Sequence, residues 1–485
     1  MDQNRNFRDW LILAGILALA LALRLWRLDA PLWYDEILTV TRHLRLGWGE
    51  MLSSYSMNFH YLHNIQSKAS AEILGETAWA IRLPAMVFGL AGIWAAWALA
   101  WYLAGRWVAH LSALLLAVSY HHIWFSQNAR GYTELAFWGT LGMLLWLRGL
   151  KEPRPGLWLG YGLTLVLASF THLTGAFLYA AQGVIWICLI FALTLRGQAS
   201  RPLLIWPIAG YALGGVLTFL LYLPILPAMI ETFSTVSDTS AVDVMKEYQS
   251  PIWTIYEALR TALGTAGPLV SAVGLLVLGL ATTGGVRAKN ARLFAPVVAM
   301  HIGLTILLLL ALGMRIWPRF FFADVAFLMI LIVMGVAAIC AWMGRWPGLQ
   351  RLAAALFPLA AVTMLVISAG LAARNYMAPK QDLAGAVALV EALRRPGEPV
   401  YAVGPAAQVF SDYYGMDWAA LDNSDDWDQA LEGPGSMIFV VAFPSRMFRT
   451  IPDLDATVDD GRVSLLADLP GTLGDGHVAV LRRDD

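Results

Sequence analysis

The chain has 485 residues, 58% of them hydrophobic and only 14% charged, with 21 Trp and a mean hydropathy of +0.60. That composition excludes an ordinary soluble domain and predicts a polytopic α-helical membrane protein. Formal net charge is −1, yet residues 380–485 hold 8 Lys/Arg against 18 Asp/Glu while the remainder holds 25 against 16, so a basic membrane part and an acidic tail share one polypeptide. The basic residues are scattered over many short connections rather than gathered in one patch, which excludes a nucleic-acid footprint.

A membrane-spanning helix needs roughly 20 mostly apolar residues. Eleven stretches meet that need: 10–28, 82–104, 107–125, 131–149, 156–172, 174–195, 203–224, 263–283, 293–314, 319–342 and 352–372. The uncharged core of the first, 10–23, also fits the apolar region of a signal peptide, with Ala18, Ala20 and Ala22 as small residues for cleavage. A retained helix is the expectation, with Arg24 and Arg27 snorkelling to the far interface beside Trp26 and Trp33. Cys188 and Cys340 fall inside apolar runs, without metal or disulfide spacing, and read as small core residues.

Orientation follows from the connections. With a cytoplasmic N-terminus bearing Arg5 and Arg8, the later cytoplasmic loops hold Arg106; Arg148, Lys151 and Arg154; Arg196 and Arg201; Arg287, Lys289 and Arg292; Arg345 and Arg351. That is 13 basic residues against Asp2, Asp9 and Glu152, which satisfies the positive-inside rule for an inner (plasma) membrane protein. Eleven spans then send the C-terminal part to the periplasmic or extracellular side. Two outer loops are long. In 29–81, Ile37, Leu38, Leu44, Trp48, Met51 and Leu52 fall at helical spacing and predict short interfacial helices; 224–262 contains a polar stretch at 234–243. Past residue 375 the apolar runs shorten to strand length at 399–403, 436–442 and 477–481, after a helix-like 381–393, and predict a small soluble α/β domain over 376–485. The acids at 422–428 and 453–460 match no EF-hand spacing and read as solvated turns.

Five polar clusters fall on the same outer edge: Asp35-Glu36; Asn58-Phe59-His60-Tyr61-Leu62-His63; Ser126-Gln127-Asn128-Ala129-Arg130-Gly131-Tyr132; Phe170-Thr171-His172; and Arg315-Ile316-Trp317-Pro318-Arg319-Phe320. Each alone has a structural explanation in snorkelling, capping or turn formation. Glu134, four residues after Arg130, reads as an intrahelical ion-pair partner, Asp324 as a neutraliser of a nearby Arg, and His301 as a satisfied core histidine. Together the clusters suit a substrate with an anionic phosphate and a lipid tail: arginine forks bind phosphate bidentately, and a carboxylate can take a proton from an attacking hydroxyl.

Trp33-Tyr34-Asp35-Glu36, Arg82-Leu83-Pro84, Ser126-Gln127-Asn128-Ala129-Arg130-Gly131-Tyr132, Thr171-His172 and Arg319-Phe320, in that order, resemble the protein-mannosyltransferase and aminoarabinose-transferase type of GT-C glycosyltransferase over about 10–345. The resemblance implies a GT-C catalytic domain over 1–375 and an inverting enzyme that moves a sugar from a polyprenyl-phosphate donor to a lipid, glycan or protein acceptor at the non-cytoplasmic side. It implies Asp35 as the catalytic carboxylate and Arg130 and Arg319 near the donor phosphate. Where the family has His-Pro-Pro-Leu-Tyr this chain has His60-Tyr61-Leu62-His63-Asn64, and Arg319-Phe320 replaces Arg-Tyr.

On this reading Asp35 is the base, with Glu36 orienting its loop or holding a divalent ion. Arg130, Arg319, Arg315, His60 and His172 are candidates for the phosphate, and His63, Tyr61 and Tyr132 for the acceptor or the loop. No cofactor beyond the lipid-linked sugar is expected, and positive side chains stand where a metal serves elsewhere. The rival classes are a lipid-linked-sugar transporter, which would place polar groups near the midplane, and a non-catalytic membrane scaffold.

Overall fold

A computed structural model of the chain describes residues 6–237, 240–264, 266–287 and 292–484; Asp2, Arg5, Lys289 and part of the polar stretch at 234–243 lie outside the described residues. The first helix, α1 (Phe7–Leu25), opens on a capping box in which Asn6 and Asp9 exchange side-chain and backbone hydrogen bonds. Three short helices follow within the first long loop: α2 (Tyr34–Thr39), continued by a π turn at Val40–Leu44, α3 (Trp48–Ser53) and α4 (Tyr61–Leu74). Then come α5 (Ala78–Ala104), α6 (Arg106–Ala117), α7 (Tyr120–Ser126), α8 (Tyr132–Lys151), α9 (Pro155–Thr171), α10 (Gly175–Leu195) and α11 (Pro202–Tyr222). The second long loop contributes α12 (Leu226–Ser237), a 3₁₀ stretch at Ser240–Gln249 and α13 (Pro251–Leu263). The bundle closes with α14 (Pro268–Arg287), α15 (Phe294–Ala311), a 3₁₀ segment at Pro318–Asp324, α16 (Val325–Met343) and α17 (Gln350–Arg374).

Each of the eleven expected spans coincides with a helix or a broken helix pair. Among the described residues seven helices are individually long and apolar enough to cross a membrane, and the pair α6–α7, bent by 60° at Val118 and Ser119, makes an eighth. The others are α1, which carries Arg8, Asp9 and Arg24, the 20-residue α8 and the 17-residue α9. Small residues let the helices approach closely: a Cβ added at Gly335 of α16 would lie 2.0 Å from the Leu280 carbonyl oxygen of α14.

The C-terminal part contains α18 (Leu383–Leu393), β1 (Val400–Val403), α19 (Ala407–Asp412), β2 (Ala419–Leu421), α20 (Ser424–Leu431), β3 (Met437–Ala442), α21 (Pro444–Thr450), α22 (Pro452–Asp459), β4 (Ser464–Leu469) and β5 (Val478–Arg483). The sheet order is β2-β1-β3-β5-β4, with β1 parallel to β2 and β3 and β5 antiparallel to β3 and β4. The three strands expected from apolar runs are present. The two missed ones are the edges: β2 has three residues, and β4 carries mixed side chains on a half-exposed face.

One core joins this sheet to the first loop. Leu32, Ile37, Leu38, Val40 and Leu44 pack in a single buried cluster with Leu383, Ala386, Val400, Ala402, Ile438, Val440 and Val480. The interfacial helices expected to lie on lipid therefore bury much of their apolar face against protein.

Four local expectations are corrected. Arg24 does not snorkel: it is fully buried and donates to the carbonyls of Ala20, Leu116 and Ala117 around the α6–α7 break. Among the described residues Asp324 pairs with His301, whose Nδ1 lies 2.8 Å from its Oδ1, and with no arginine. Glu134 is held by Gln66 and Trp138 rather than Arg130. Cys188 is exposed on α10 and Cys340 half-buried on α16, so neither is a core cysteine.

Candidate active site

Two adjacent carboxylates on α2 point into different surroundings, as neighbours about 100° apart on a helix must. Glu36 turns inward. Arg82 grips it with Nε 2.7 Å from Oε1 and Nη2 2.6 Å from Oε2, the Ala129 amide donates to Oε1 at 2.7 Å, and the Trp33 amide to Oε2 at 3.3 Å. The same guanidinium donates to the carbonyls of Leu28, Ala30 and Pro31. One ion pair thus ties the start of the first loop, α5 and the segment before α8 together. Both partners are fully buried, and Arg82 holds the Glu36 carboxyl below its usual range against the opposing cost of burial. Both Glu36 oxygens thus accept from donors within the protein, an arrangement that holds the loop in place.

Asp35 turns outward and keeps 14% of its side chain exposed. Arg319, from the 3₁₀ segment, places Nη1 3.3 Å from Asp35 Oδ2, and Arg130 places Nη2 3.9 Å from the same atom. The backbone under Asp35 is fixed by Thr39 and Asn58, which donate to its carbonyl at 2.9 and 3.3 Å. Asn58 also accepts from Arg130, so the second motif cluster bridges the first and third. Trp33 Nε1 donates to Asn128 Oδ1 at 3.1 Å and fastens them again.

Beside this group stands a cluster of rings. His60 lies 4.8 Å from the Tyr132 ring and 4.7 Å from that of His172, and His172 accepts or donates at Thr174 Oγ1, 2.8 Å away. His60 is 1% exposed, and neither of its ring nitrogens has a partner among the described residues. Burial first, and the charge of Arg130 second, push its proton affinity well below the ordinary value and keep the ring neutral.

Asp35, His60, Arg130, Tyr132, His172 and Arg319 are therefore brought together from five separated stretches of chain. The remaining candidates lie apart. His63 is buried behind Gly131, with Nε2 3.1 Å from Ser67 Oγ. Tyr61 sits in an aromatic cluster with Phe59, Phe170 and Tyr222 and donates to the Ser54 carbonyl. Arg315 lies 6.0 Å from the Trp317 ring and makes no ion pair with Asp35 among the described residues. Sequence reasoning missed the contribution of the C-terminal part. Phe443 packs edge-on against Tyr34 at 5.2 Å, the Gln381 side chain accepts from the Tyr34 amide at 3.4 Å, and Lys380 donates to the Gln127 carbonyl at 2.6 Å. No pattern in 376–485 marks these residues, because their role depends only on how the sheet docks. Among the described residues no three His, Cys, Asp or Glu side chains converge as a metal site would require.

A family profile described as dolichyl-phosphate-mannose-protein mannosyltransferase matches residues 63–227, about a third of the chain. No curated protein sequence matches. Among solved structures, the chain is similar to ArnT from Cupriavidus metallidurans in the apo state, at 14% identity and a TM-score of 0.54, with 97% of each chain covered. The same protein bound to undecaprenyl phosphate superposes with a TM-score of 0.51 at 14% identity over 98% of each chain. The archaeal oligosaccharyltransferase AglB from Archaeoglobus fulgidus, in complex with an inhibitory peptide and a dolichol-phosphate, matches at 12% identity and a TM-score of 0.53 over 90% of this chain and 69% of that one. At these identities the likeness is one of fold. The helix bundle and the C-terminal α/β sheet accord with that likeness: the chain has the GT-C membrane fold, and over 63–227 it is similar to the mannosyltransferase profile.

Proposed function

We propose that the chain is an inverting glycosyltransferase that moves a sugar from a polyprenyl-phosphate donor to an acceptor hydroxyl. The observation that carries this reading is Asp35, a partly exposed carboxylate faced by two arginines while the neighbouring Glu36 is buried against Arg82. The profile match and the polyprenyl- and dolichol-phosphate named with the similar structures support the class of donor. The positive-inside distribution supports placing this end of the bundle on the periplasmic or extracellular side.

In the resting protein Arg130 and Arg319 face Asp35. A donor phosphate entering beside them competes for the same guanidinium forks and leaves Asp35 free to accept a proton. The acceptor oxygen then attacks the anomeric carbon from the face opposite the phosphate. Its proton passes to Asp35, the bond from anomeric carbon to phosphate oxygen breaks, and polyprenyl phosphate leaves. Charge grows on that oxygen as the bond breaks, and a fixed guanidinium there is worth about 3 kcal/mol, or roughly a hundredfold in rate. His60, whose ring nitrogens have no partner among the described residues, can donate one further hydrogen bond to the phosphate.

The test is turnover of a panel of labelled polyprenyl-phosphate sugars by detergent-purified protein, with and without a chelator. Asp35→Asn is expected to lower transfer by about 10² to 10⁴-fold, the usual range for removal of a general base, and the chelator to leave it unchanged. Wild-type turnover by Asp35→Asn would remove Asp35 from the mechanism.

A further inference from the structure

Arg130 stops short of Asp35. Its Nη2 stands 3.9 Å from Asp35 Oδ2, beyond hydrogen-bonding range, whereas Arg319 Nη1 donates to that same oxygen at 3.3 Å. A guanidinium and a carboxylate that are free to meet close into a two-pronged pair, as Arg82 and Glu36 do at 2.7 and 2.6 Å. Arg130 is instead drawn aside by an amide: its Nη1 donates to Asn58 Oδ1, the one side-chain hydrogen bond of this guanidinium among the described residues. The Arg130 side chain is 3% exposed, and its Nε donates to nothing among those residues.

The amide stands on a fixed support. Asn58 lies in a turn between α3 and α4 in which the Phe59 amide donates to the Ser56 carbonyl at 3.0 Å. Both flanks of the turn are anchored: the Phe59 ring packs 4.2 Å from that of His43 and 3.9 Å from that of Tyr61, and Ser56 Oγ lies 3.1 Å from His43 Nε2. An Asn side chain carries an acceptor and a donor on one planar group. Here the acceptor takes Arg130, and the donor, Nδ2, reaches the Asp35 carbonyl at 3.3 Å, so one amide sets the backbone of the carboxylate and the guanidinium together. Because the amide is neutral, it orients Arg130 without adding a charge that would compete with an arriving phosphate.

We infer that Asn58 is a positioning residue for donor binding: it holds the Arg130 fork open beside Asp35, so that the phosphate of a lipid-linked sugar meets a guanidinium whose Nε and Nη2 are still to be engaged. This rests on the transferase reading, which gives Arg130 to that phosphate. Asn58 acts through Arg130 rather than on the sugar. Asp suits a turn as Asn does and accepts from Arg130 more strongly, so Asn58→Asp keeps the local structure while closing the fork on an ion pair. Asn58→Ala removes the amide and leaves Arg130 to fall back on Asp35.

Binding of sugar-free polyprenyl phosphate to the full chain in detergent, read beside the melting temperature, separates positioning from support. Asn58→Ala is expected to weaken binding by about threefold, through the loss of one orienting hydrogen bond, and Asn58→Asp by about tenfold or more, because the phosphate must displace a carboxylate. Melting temperatures are expected in the other order, with Asn58→Asp falling no further than Asn58→Ala. A side chain that merely supports the turn would make binding follow stability. In transfer assays the donor KM is expected to rise by more than kcat falls, most of all in Asn58→Asp. Binding by Asn58→Asp at least as tight as by Asn58→Ala, or no binding by the wild type, overturns the positioning role. Transfer by the wild type with donor KM unmoved in both variants removes Asn58 and keeps the transferase reading. Asn58-dependent binding in a protein that transfers no sugar upholds Asn58 and rejects that reading.

Discussion

Asp35 and Glu36 are neighbours in sequence and opposites in environment, and the difference is decided 46 residues beyond Glu36, at Arg82. The pair of acids was visible in the sequence, as were the arginines at 130 and 319. Which carboxylate would face water was not, since that depends on where the Arg82 side chain lands after α5 docks. Histidine behaves similarly. His63 was read as a candidate for the acceptor, yet burial, with Arg130 beside it, pushes its imidazole down to about 3 from 6.5. Between those values the unfolded chain binds a proton that the folded chain refuses. Stability on this account is complete above about pH 6.5 and falls as pH drops through the window, by about 1.4 kcal/mol per pH unit for one such group. Thermal unfolding from pH 7 to 4 is therefore expected to show a shallower loss in His63→Gln than in the wild type. Equal slopes would mean that His63 finds a proton-accepting neighbour in the fold.

The span between Arg106 and Ser126 shows what apolar patterning conveys about an element and what it hides. The run is apolar enough to read as one straight helix, but α6 ends at Ala117 and α7 starts at Tyr120, with Ser119 capping the new helix through the His122 amide. A helix break buried in protein leaves carbonyls without amide partners, each costly to bury. Arg24 supplies the donors, reaching Leu116 and Ala117 across from α1 and also contacting His122 Nδ1 at 2.8 Å and Ser126 Oγ at 3.1 Å. The sequence showed Arg24 and Arg27 near a helix end, for which snorkelling is the ordinary explanation; all but one of the partners of Arg24 lie about a hundred residues away. Arg24→Leu is expected to lose about 3 kcal/mol or more, from several buried acceptors left unsatisfied at once, and to lower the melting temperature in detergent. A melting temperature unchanged within a degree would show that the break satisfies itself.

At the scale of the whole molecule the change of composition near residue 375 marks a real change of architecture, from helix bundle to mixed sheet. It does not mark a place where the chain can be cut. The face of the first loop that reads as lipid-seeking is buried against α18 and β1, β3 and β5, and an amphipathic helix carries the same pattern for either partner. Further ties cross the junction, from Tyr120 and Trp124 to Thr472 and from Arg449 to Glu247. A chain ending at residue 375 is expected to leave loop 29–81 open to protease within minutes under conditions where the full chain is resistant. Equal resistance would show that the loop folds without the sheet.

That shared core also fixes an order in time. Residues 32–44 emerge from the ribosome more than 300 residues before the strands that cover them, and the connections joining Tyr34 to Gln381 and Trp124 to Thr472 span similar separations. Contacts so distant in sequence are slow to close. Until they do, Asp35 sits on an uncovered loop rather than in a built site. A partly made chain therefore lacks the built surroundings of Asp35 until β5 is in place.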